Sequence, residues 1–171
     1  MMALAFLGLG SNLGNRLLSL RSAVSSVASL PGTSVLRASS IYETEPYGVK
    51  EQPDFLNAVI EIETTLAAEG LHRMLKAIEH EAGRIERTKW GPREIDIDIL
   101  FFGFQQIHTA VLTIPHPGVG QRRFVLEPMA ELSSDFTDPG TTMTISEILG
   151  RCSDRSSVRK YSEELIVPEE T

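Results

Sequence analysis

Two aspartates in one short segment are the residues of this sequence best suited to chemistry. Asp96 and Asp98 alternate with isoleucines over residues 94–99. A strand with a period of two residues would place both carboxylates on one face, with Cα atoms about 6.6–6.8 Å apart. Carboxylates that close repel each other unless a cation lies between them. The spacing therefore predicts a site for a hard divalent cation such as Mg²⁺, and the alternative is a strand with one solvated face.

A cluster of cationic side chains precedes the aspartates. Residues 84–93 carry four cationic side chains and one acidic side chain, and a second basic pair follows at 122–123. Cations beside a carboxylate pair are typical of a site for a metal-bound polyphosphate. Trp90 adds an aromatic surface, so single-stranded nucleic acid is one alternative ligand, and an ordinary solvated loop is the other reading. The formal net charge of −7 disfavours nucleic acid as a partner.

Three other residues could contact a ligand. His116 stands between two prolines, and this rigid setting near cations favours a hydrogen-bond donor to phosphate as much as a structural histidine. Phe55 and Asn57 share a strand face, which suits a planar heterocycle with hydrogen-bonding edges, although an ordinary half-buried strand has the same pattern. The glycine-rich segment 8–14 lacks both the dinucleotide and the Walker pattern, so it predicts a tight strand-to-helix turn.

The composition is that of a globular domain. The chain has 171 residues, of which 42% are hydrophobic and 23% charged, and this excludes a disordered chain, a collagen and a coiled coil. The single cysteine, Cys152, excludes an internal disulfide and a cysteine-based zinc site, and it fits a reducing compartment. Since no apolar run approaches the ~20 residues that span a bilayer, we predict a cytoplasmic protein with no membrane partner. The sequence leaves the oligomeric state open, and a monomer is compatible with it.

The hydrophobic pattern predicts the elements that hold these residues. Strands are predicted at 3–9, 35–42, 55–64, 95–102 and 107–114, the last pairing with the strand before it, and helices at 13–30, 71–82, 124–132 and 144–149. Ser11 or Asn12 would cap the first helix. The order β-α-β-β-α-β predicts an α+β fold with a ferredoxin-like antiparallel sheet, its helices packed on one face and its other face open. We expect residues 1–161 to form a single domain and the acidic residues 162–171 to be a frayed tail.

Several segments together form a specific pattern. They are Gly-Leu-Gly-Ser-Asn-Leu-Gly-Asn at 8–15, Tyr-Glu-Thr-Glu-Pro at 42–46, Gln-Pro-Asp-Phe-Leu-Asn at 52–57, Trp-Gly-Pro-Arg-Glu-Ile-Asp-Ile-Asp-Ile-Leu at 90–100, Pro-His-Pro at 115–117, Arg122, and Phe-Val-Leu at 124–126. In order and spacing they resemble the 6-hydroxymethyl-7,8-dihydropterin pyrophosphokinases of folate biosynthesis, over residues 3–132. The segment at 90–100 is the most specific of them.

The resemblance implies a ferredoxin-like α+β fold and transfer of the β,γ-diphosphate of ATP to the hydroxymethyl group of the pterin, with release of AMP. It implies that Asp96 and Asp98 bind two Mg²⁺ ions and that Arg84 and Arg93 join them in catalysis. The pterin, its ring between Phe55 and Phe124, would be contacted by Thr44, Tyr47, Phe55, Asn57, Trp90 and Phe124. The co-substrate ATP would be held by Lys76, Glu79, Arg84, Arg93, Ile99, Thr113, His116 and Arg122.

Two positions depart from the family's pattern. Glu86 and Gly118 stand where members often have arginine, and the neighbouring cations Arg87 and Arg123 are the candidates to replace them. Two other functions also fit the residues. One is a ferredoxin-like regulatory module that binds a nucleotide without turnover, and the other is a metal-dependent nucleotidyltransferase that releases pyrophosphate.

Overall fold

The chain alternates strands and helices in a computed structural model that describes residues 1–83 and 90–169. The strands are β1 Ala3–Ser11, β2 Thr33–Ala38, β3 Ser40–Thr44, β4 Phe55–Thr64, β5 Asp96–Phe102, β6 Ile107–His108, β7 Thr113–Ile114 and β8 Val158–Glu164. The helices are α1 Arg16–Ala28, α2 Ala68–Glu81, α3 Arg123–Ser133 and α4 Ile145–Arg151, with a 3₁₀ turn at Val119–Gln121. Within the described ranges, no helix has the length and apolar character needed to cross a membrane.

Six strands form one antiparallel sheet. Its order is β5-β1-β4-β3-β8, and β2 also pairs with β4. The long strand β1 therefore lies between β4 and β5, as in a ferredoxin-like sheet, and the predicted α+β class is confirmed. The register sets Gly10 opposite Asn57 on one side and opposite Asp96 on the other. Residues far apart in the sequence are thereby brought side by side on one face.

The main hydrophobic core lies between one face of the sheet and helices α1 and α2. Successive side chains of a strand point to opposite faces, so alternate residues of the central strands enter this core. Leu7, Ile60 and Ile97 are buried there and share the cluster with Leu20 and Leu71 from the two helices. The residues predicted to share one face of β4 and of β5 all belong to this core: Leu56, Ala58, Ile60, Ile62, Ile95, Ile97 and Ile99.

Helices α3 and α4 cover part of the opposite face. Phe6, Val59 and Phe101 on the sheet belong to a second buried cluster with Leu126 and Met129 of α3. The expectation that helices pack on one face only is therefore wrong. Its physical reason is that large apolar side chains on this part of the second face must be removed from water. The part around the glycines of β1 is left as a cleft.

Two strand predictions need correction. The stretch 35–42 is divided into β2 and β3 at Ser39, whose backbone N–H donates to Val59 O at 2.8 Å and whose Oγ accepts from the Val59 N–H at 2.9 Å. The stretch 107–114 forms its own hairpin, β6 with β7, rather than one strand paired with β5. A hydrophobic pattern indicates that a strand forms, but the interruption and the choice of partner depend on hydrogen bonds to distant residues.

The C-terminal strand lies at the edge of the sheet. β8 pairs with β3, so residues 162–164 belong to the sheet, and the expected frayed tail does not hold for them. The physical reason is that an edge strand exposes unpaired N–H and C=O groups, for which β8 supplies partners. Leu165 and Val167, which follow β8, pack against the main core.

Candidate active site

The uncovered part of the sheet forms the floor of a cleft. Its volume is ≈ 280 Å³, and residues of β1, β4 and β5 line it together with the segments at 44–47, 90–93 and 122–125. All six residues expected at a pterin line this cleft: Thr44, Tyr47, Phe55, Asn57, Trp90 and Phe124. This first cleft therefore brings together residues from widely separated parts of the chain.

Glycines provide space on the floor of the first cleft. Gly8 and Gly10 line it, while Leu7 and Leu9, which alternate with them on β1, are in the main core. A Cβ atom at position 10 would lie 2.6 Å from Asn57 Oδ1, so a larger residue would displace that amide. Sequence reasoning assigned these glycines to a turn. The available signal was their alternation with leucine inside a strand, which indicates close approach of another group.

Asp96 and Asp98 lie on the cleft side of β5. The isoleucines around them are buried in the opposite face, in agreement with the predicted period of two. Each aspartate pairs across the sheet with a glycine of β1, so no side chain of β1 occupies the space beside the carboxylates. The Asp98 side chain is 35% exposed, which leaves it accessible to a ligand.

Helix α2 brings a lysine and a glutamate to the same strand. Lys76 Nζ lies 3.8 Å from Asp98 Oδ1 and 3.0 Å from Glu79 Oε1. Glu79 is buried, and its Oε1 also accepts a hydrogen bond of 2.8 Å from the Ile97 backbone N–H. A buried carboxylate is tolerated when it is paired and hydrogen-bonded in this way. Glu79 thus holds Lys76 beside Asp98.

His116 presents a neutral imidazole to Asp98. Burial, together with the Arg122 guanidinium, lowers the pKa of His116 to about 4. The Gly118 backbone N–H donates to His116 Nδ1 at 3.1 Å, so the neutral ring carries its hydrogen on Nε2. Nε2 lies 4.0 Å from Asp98 Oδ2. His116 can therefore donate a hydrogen bond to a ligand oxygen held next to the aspartates.

Aromatic rings and one guanidinium form a continuous patch in the first cleft. The Tyr47 ring centroid is 5.4 Å from that of Trp90 and 6.1 Å from that of Phe124. The Arg122 guanidinium carbon lies 4.7 Å from the Trp90 ring centroid and 5.6 Å from that of Tyr47. Such cation–π contacts hold a cation over a flat apolar surface. The patch offers a planar ring an aromatic surface next to a cation.

A buried amide and a buried hydroxyl are among the polar groups of the first cleft. Asn57 Nδ2 donates to Thr44 Oγ1 at 2.6 Å, and both side chains are buried. Ligand clefts typically combine apolar walls with a few such fixed polar groups, which orient the ligand. Asn57 and Thr44 can thus recognise the hydrogen-bonding edge of a heterocycle.

A second cleft adjoins the first. Its volume is also ≈ 280 Å³, and it is lined by Ile99 and by residues 109–113 of the β6–β7 hairpin. Ile99 and Thr113, both expected at ATP, lie here. Asp98 and His116 line both clefts, so they mark the junction between them.

The remaining cations that were expected at ATP lie in different parts of the structure. Arg93 and Arg122 line the first cleft. Arg84 lies outside the described residues, as does the departure at residue 86 with its neighbour Arg87. The Arg123 guanidinium pairs with Glu127 at 2.8 Å, and its role as a replacement for an arginine at position 118 stays a prediction.

Gly118 has a different consequence for the site. A Cβ at this position would lie 2.5 Å from Arg122 Nε, so the glycine leaves room for Arg122 to lie against the backbone. The absence of a side chain at 118 therefore affects how Arg122 is placed in the first cleft.

Comparisons with known proteins identify what this chain is similar to. A family model described as 7,8-dihydro-6-hydroxymethylpterin-pyrophosphokinase (HPPK) matches residues 6–134. A 2-amino-4-hydroxy-6-hydroxymethyldihydropteridine pyrophosphokinase of Synechocystis is 41% identical over 145 residues, which are 85% of this chain and 74% of that protein. The protein of the same name from Haemophilus influenzae is 37% identical over 158 residues, which are 92% of this chain and 98% of that protein.

Other similar proteins are much longer than this chain. The folic acid synthesis protein fol1 of Schizosaccharomyces pombe is 40% identical over 159 residues, but the match covers only 22% of that protein. The crystal structure of Plasmodium falciparum HPPK-DHPS superposes with a TM-score of 0.71 at 17% identity, covering 88% of this chain and 42% of that one. At this identity the superposition supports the fold alone, and that fold is the ferredoxin-like one expected from the sequence.

Proposed function

The chain belongs to the 7,8-dihydro-6-hydroxymethylpterin-pyrophosphokinase family, and we propose that it performs the family's reaction where its two clefts meet. That reaction is pyrophosphoryl transfer from ATP to hydroxymethyldihydropterin in folate biosynthesis, and the chain is accordingly a diphosphotransferase. The observation that carries the proposed location is that Asp98 and His116 line both clefts.

The first cleft is the proposed pterin site. Phe124 of the aromatic patch and Phe55 of β4 both line it, and they are the proposed stacking partners of a bicyclic ring. The Asn57 amide and the Thr44 hydroxyl are buried and fixed to each other, so they can pair with polar edges of the ring. An unpaired polar edge in a buried site costs about 1–3 kcal/mol, which favours a ligand whose edge matches this pair.

The second cleft is the proposed nucleoside site of ATP. In this arrangement Ile99 and Thr113 contact the nucleoside, while the phosphates extend toward Asp98 and His116. Lys76, Arg93 and the neutral His116 Nε2–H then provide positive charge and a hydrogen-bond donor near those phosphates. The overall negative charge of the chain makes such a local concentration of cations necessary for an anionic substrate.

The two aspartates fit Mg²⁺ that arrives with a polyphosphate. Among residues 1–83 and 90–169, no group of three or more His, Cys, Asp or Glu side chains could hold a metal ion. Mg²⁺ commonly takes only one or two carboxylates and completes its shell with water and substrate phosphates, so Asp96 and Asp98 suffice. We propose that these two residues hold two Mg²⁺ ions. Bound there, the metal would neutralise phosphate charge and lower the pKa of an oxygen bound to it.

The proposed step is a displacement at the β-phosphorus of ATP. The hydroxymethyl oxygen of the pterin forms a bond to the β-phosphorus. At the same time, the bond between this phosphorus and the oxygen that bridges the α- and β-phosphates breaks. AMP leaves with the bridging oxygen, the hydroxyl proton passes to water, and the diphosphate remains on the pterin. Such reactions depend mainly on alignment and charge neutralisation. The chain's own contribution is therefore to hold the two substrates end to end and to surround the phosphates with donors.

The nucleotide product tests this function directly. The protein is incubated with ATP and Mg²⁺, with and without 6-hydroxymethyl-7,8-dihydropterin, and the nucleotides are separated by chromatography. We expect AMP to form only when the pterin is present. ADP would indicate transfer of a single phosphate, free pyrophosphate a nucleotidyltransferase, and no change a regulatory module, and each of these would contradict the proposal.

A matched pair of variants tests the proposed location. Asp96→Asn is expected to reduce AMP release by about 100-fold, the scale of losing one preorganised electrostatic group. Asp135→Asn removes the same charge at an exposed position after α3 and is expected to leave the rate unchanged. Equal rates for both variants would remove Asp96 from the site.

We also propose a cytoplasmic location and small molecules as the only ligands. The single cysteine, which fits a reducing compartment, supports the location. The net charge of −7 argues against nucleic acid as a partner.

A further inference from the structure

One buried asparagine hydrogen-bonds to both segments that flank the first cleft. Asn12 is 2% exposed and lies just beyond the end of β1. Its Oδ1 accepts from the Arg93 backbone N–H at 2.8 Å, and its own backbone N–H donates to Arg93 O at 3.0 Å. Its Nδ2 donates to Gln52 Oε1 and to Pro53 O, each at 2.9 Å.

The predicted role of Asn12 as a helix cap is wrong, because its side chain is committed to these long-range partners and Asn15 caps α1.

Gln52 extends the connection to Trp90. Its Nε2 donates to Trp90 O and to Val49 O, each at 2.7 Å. Asn12 and Gln52, here called the amide bridge, therefore join the end of β1 to the loop at 49–53 and to the segment at 90–93. Each amide uses its oxygen as an acceptor and its nitrogen as a double donor, so neither can rotate without losing hydrogen bonds.

The backbone at Trp90 needs such support. Trp90 has a φ of 67°, in the left-handed region that a bulky residue rarely adopts. The surrounding structure must hold a residue in this conformation. Close packing adds to the constraint, since a Cβ at Gly48 would lie 3.0 Å from Trp90 Cβ. The amide bridge supplies the hydrogen bond to the carbonyl of this same residue.

The residues tied down by the amide bridge belong to the site. Trp90 and Arg93 both line the first cleft, and the Tyr47 ring contacts the Trp90 ring there. Among the described residues, the lining of either cleft includes neither Asn12 nor Gln52. The bridge can thus affect a substrate only through the residues that it holds.

We propose that the amide bridge positions Trp90 and Arg93 for the transfer reaction. This inference rests on the proposed function, because it assigns positioning residues to the same site. A group displaced by about 1 Å can reduce the rate by about 100-fold, so loss of the bridge reduces turnover although it touches no substrate. Asn12 and Gln52 are positioning residues in this sense.

Charge-matched variants test the amide bridge. Gln52→Glu keeps the acceptor for Asn12 but points a carboxylate oxygen at the carbonyls of Trp90 and Val49, whereas Gln105→Glu makes the same change at an exposed residue. We expect kcat/KM for the pterin to fall by about 10- to 100-fold in Gln52→Glu and to stay unchanged in Gln105→Glu.

A second pair of variants changes the other end of the bridge. Asn12→Asp removes the donor to Gln52, whereas Asn15→Asp keeps the acceptor of the 3.0 Å hydrogen bond that the Asn15 side chain receives from the Leu18 N–H. Asn12→Asp is expected to lower kcat/KM by a factor similar to that of Gln52→Glu, because both break the same connection, and Asn15→Asp is expected to leave it unchanged. If Asn12→Asp does not fold, the Gln52→Glu result decides alone.

Trp90 fluorescence provides a readout that a general loss of stability does not move. Trp90 is the only tryptophan of the chain, so the emission reports its surroundings. In ligand-free Gln52→Glu we expect emission at longer wavelength and stronger quenching by acrylamide than in Gln105→Glu, at temperatures where both are folded. The proposal is overturned if emission and kcat/KM match those of the control, or if only the melting temperature falls. Wild-type protein that releases no AMP would contradict the proposed function instead, and the fluorescence comparison would still test the bridge.

Discussion

Alanine at position 10 is expected to damage the pterin site while the sheet remains folded. Gly10 lies within β1, and its backbone pairs with Asn57 on one side and Asp96 on the other. Its backbone does not require glycine, since its φ is not among the positive values of the chain. The space on the cleft side of Gly10 is what excludes a larger residue, because a Cβ there would lie 2.6 Å from Asn57 Oδ1.

The size of the effect follows from how Asn57 is held. Ordinary contacts to a Cβ begin near 3.4 Å, so the Asn57 oxygen must move by about 0.8 Å. Asn57 is 7% exposed, and its Nδ2 is bound to Thr44 Oγ1 at 2.6 Å, so this movement breaks or strains the hydrogen bond. A lost hydrogen bond to a buried group costs about 1–3 kcal/mol. On the proposed site this corresponds to a roughly 5- to 150-fold loss of pterin affinity.

Calorimetry of pterin binding with a non-hydrolysable ATP analogue measures this loss. Gly8→Ala is a graded comparison, because its Cβ meets a Leu100 methyl carbon at 3.3 Å and requires a shift of only a few tenths of an ångström. Gly150→Ala is the control, because nothing lies within 4 Å of its Cβ in helix α4. The affinity for the pterin should be highest in Gly150→Ala, lower in Gly8→Ala and lowest in Gly10→Ala. Unchanged affinity in a folded Gly10→Ala variant would refute the claim that a fixed Asn57 recognises the pterin.

Three other changes have defined outcomes. Asp98→Asn removes carboxylate repulsion, so the melting temperature without metal should be unchanged or slightly raised. AMP release should fall about 100-fold. A variant that is destabilised but normally active would contradict this. Burial opposes the charge of Glu131, but hydrogen bonds from Ser40 and the Tyr42 hydroxyl outweigh it and lower its pKa. That stabilisation is present above the ordinary glutamate pKa and is lost as the pH falls through the lowered value, so thermal melts of wild type and Glu131→Gln should converge in acid; a constant difference would contradict it. Ser11 Oγ is buried without a hydrogen-bond partner in the described part of the chain, so Ser11→Ala should keep or raise the melting temperature, and a clear fall would reveal a hidden partner.

The sequence by itself determined the local geometry of the chemical groups. Alternation along β5 is a property of any strand, so Asp96 and Asp98 could be placed on one face before the fold was known. The same reasoning placed Phe55 and Asn57 together on β4, and both line the first cleft. These predictions required no knowledge of which strands are neighbours.

The family resemblance supplied what the periodicity could not. It connected Thr44, Tyr47, Trp90 and Phe124 with the strand residues, and all of them line the first cleft. Periodicity alone left each of these residues with an ordinary structural explanation, because single aromatic or polar side chains occur on most surfaces.

The tertiary structure alone decided how the two segments beside the cleft are held. Asn12 is 81 residues from Arg93 and 40 from Gln52, and its side chain reads locally as a good helix cap. It serves instead as a bridge, because the pairing of β1 with β4 and β5 brings the ends of these segments together. Likewise, Gly10 reads as part of a turn until its cross-strand neighbour Asn57 is known. Local patterns follow from the dihedral geometry of a few residues, whereas these contacts exist only after distant strands pair, so a short window of sequence does not contain them.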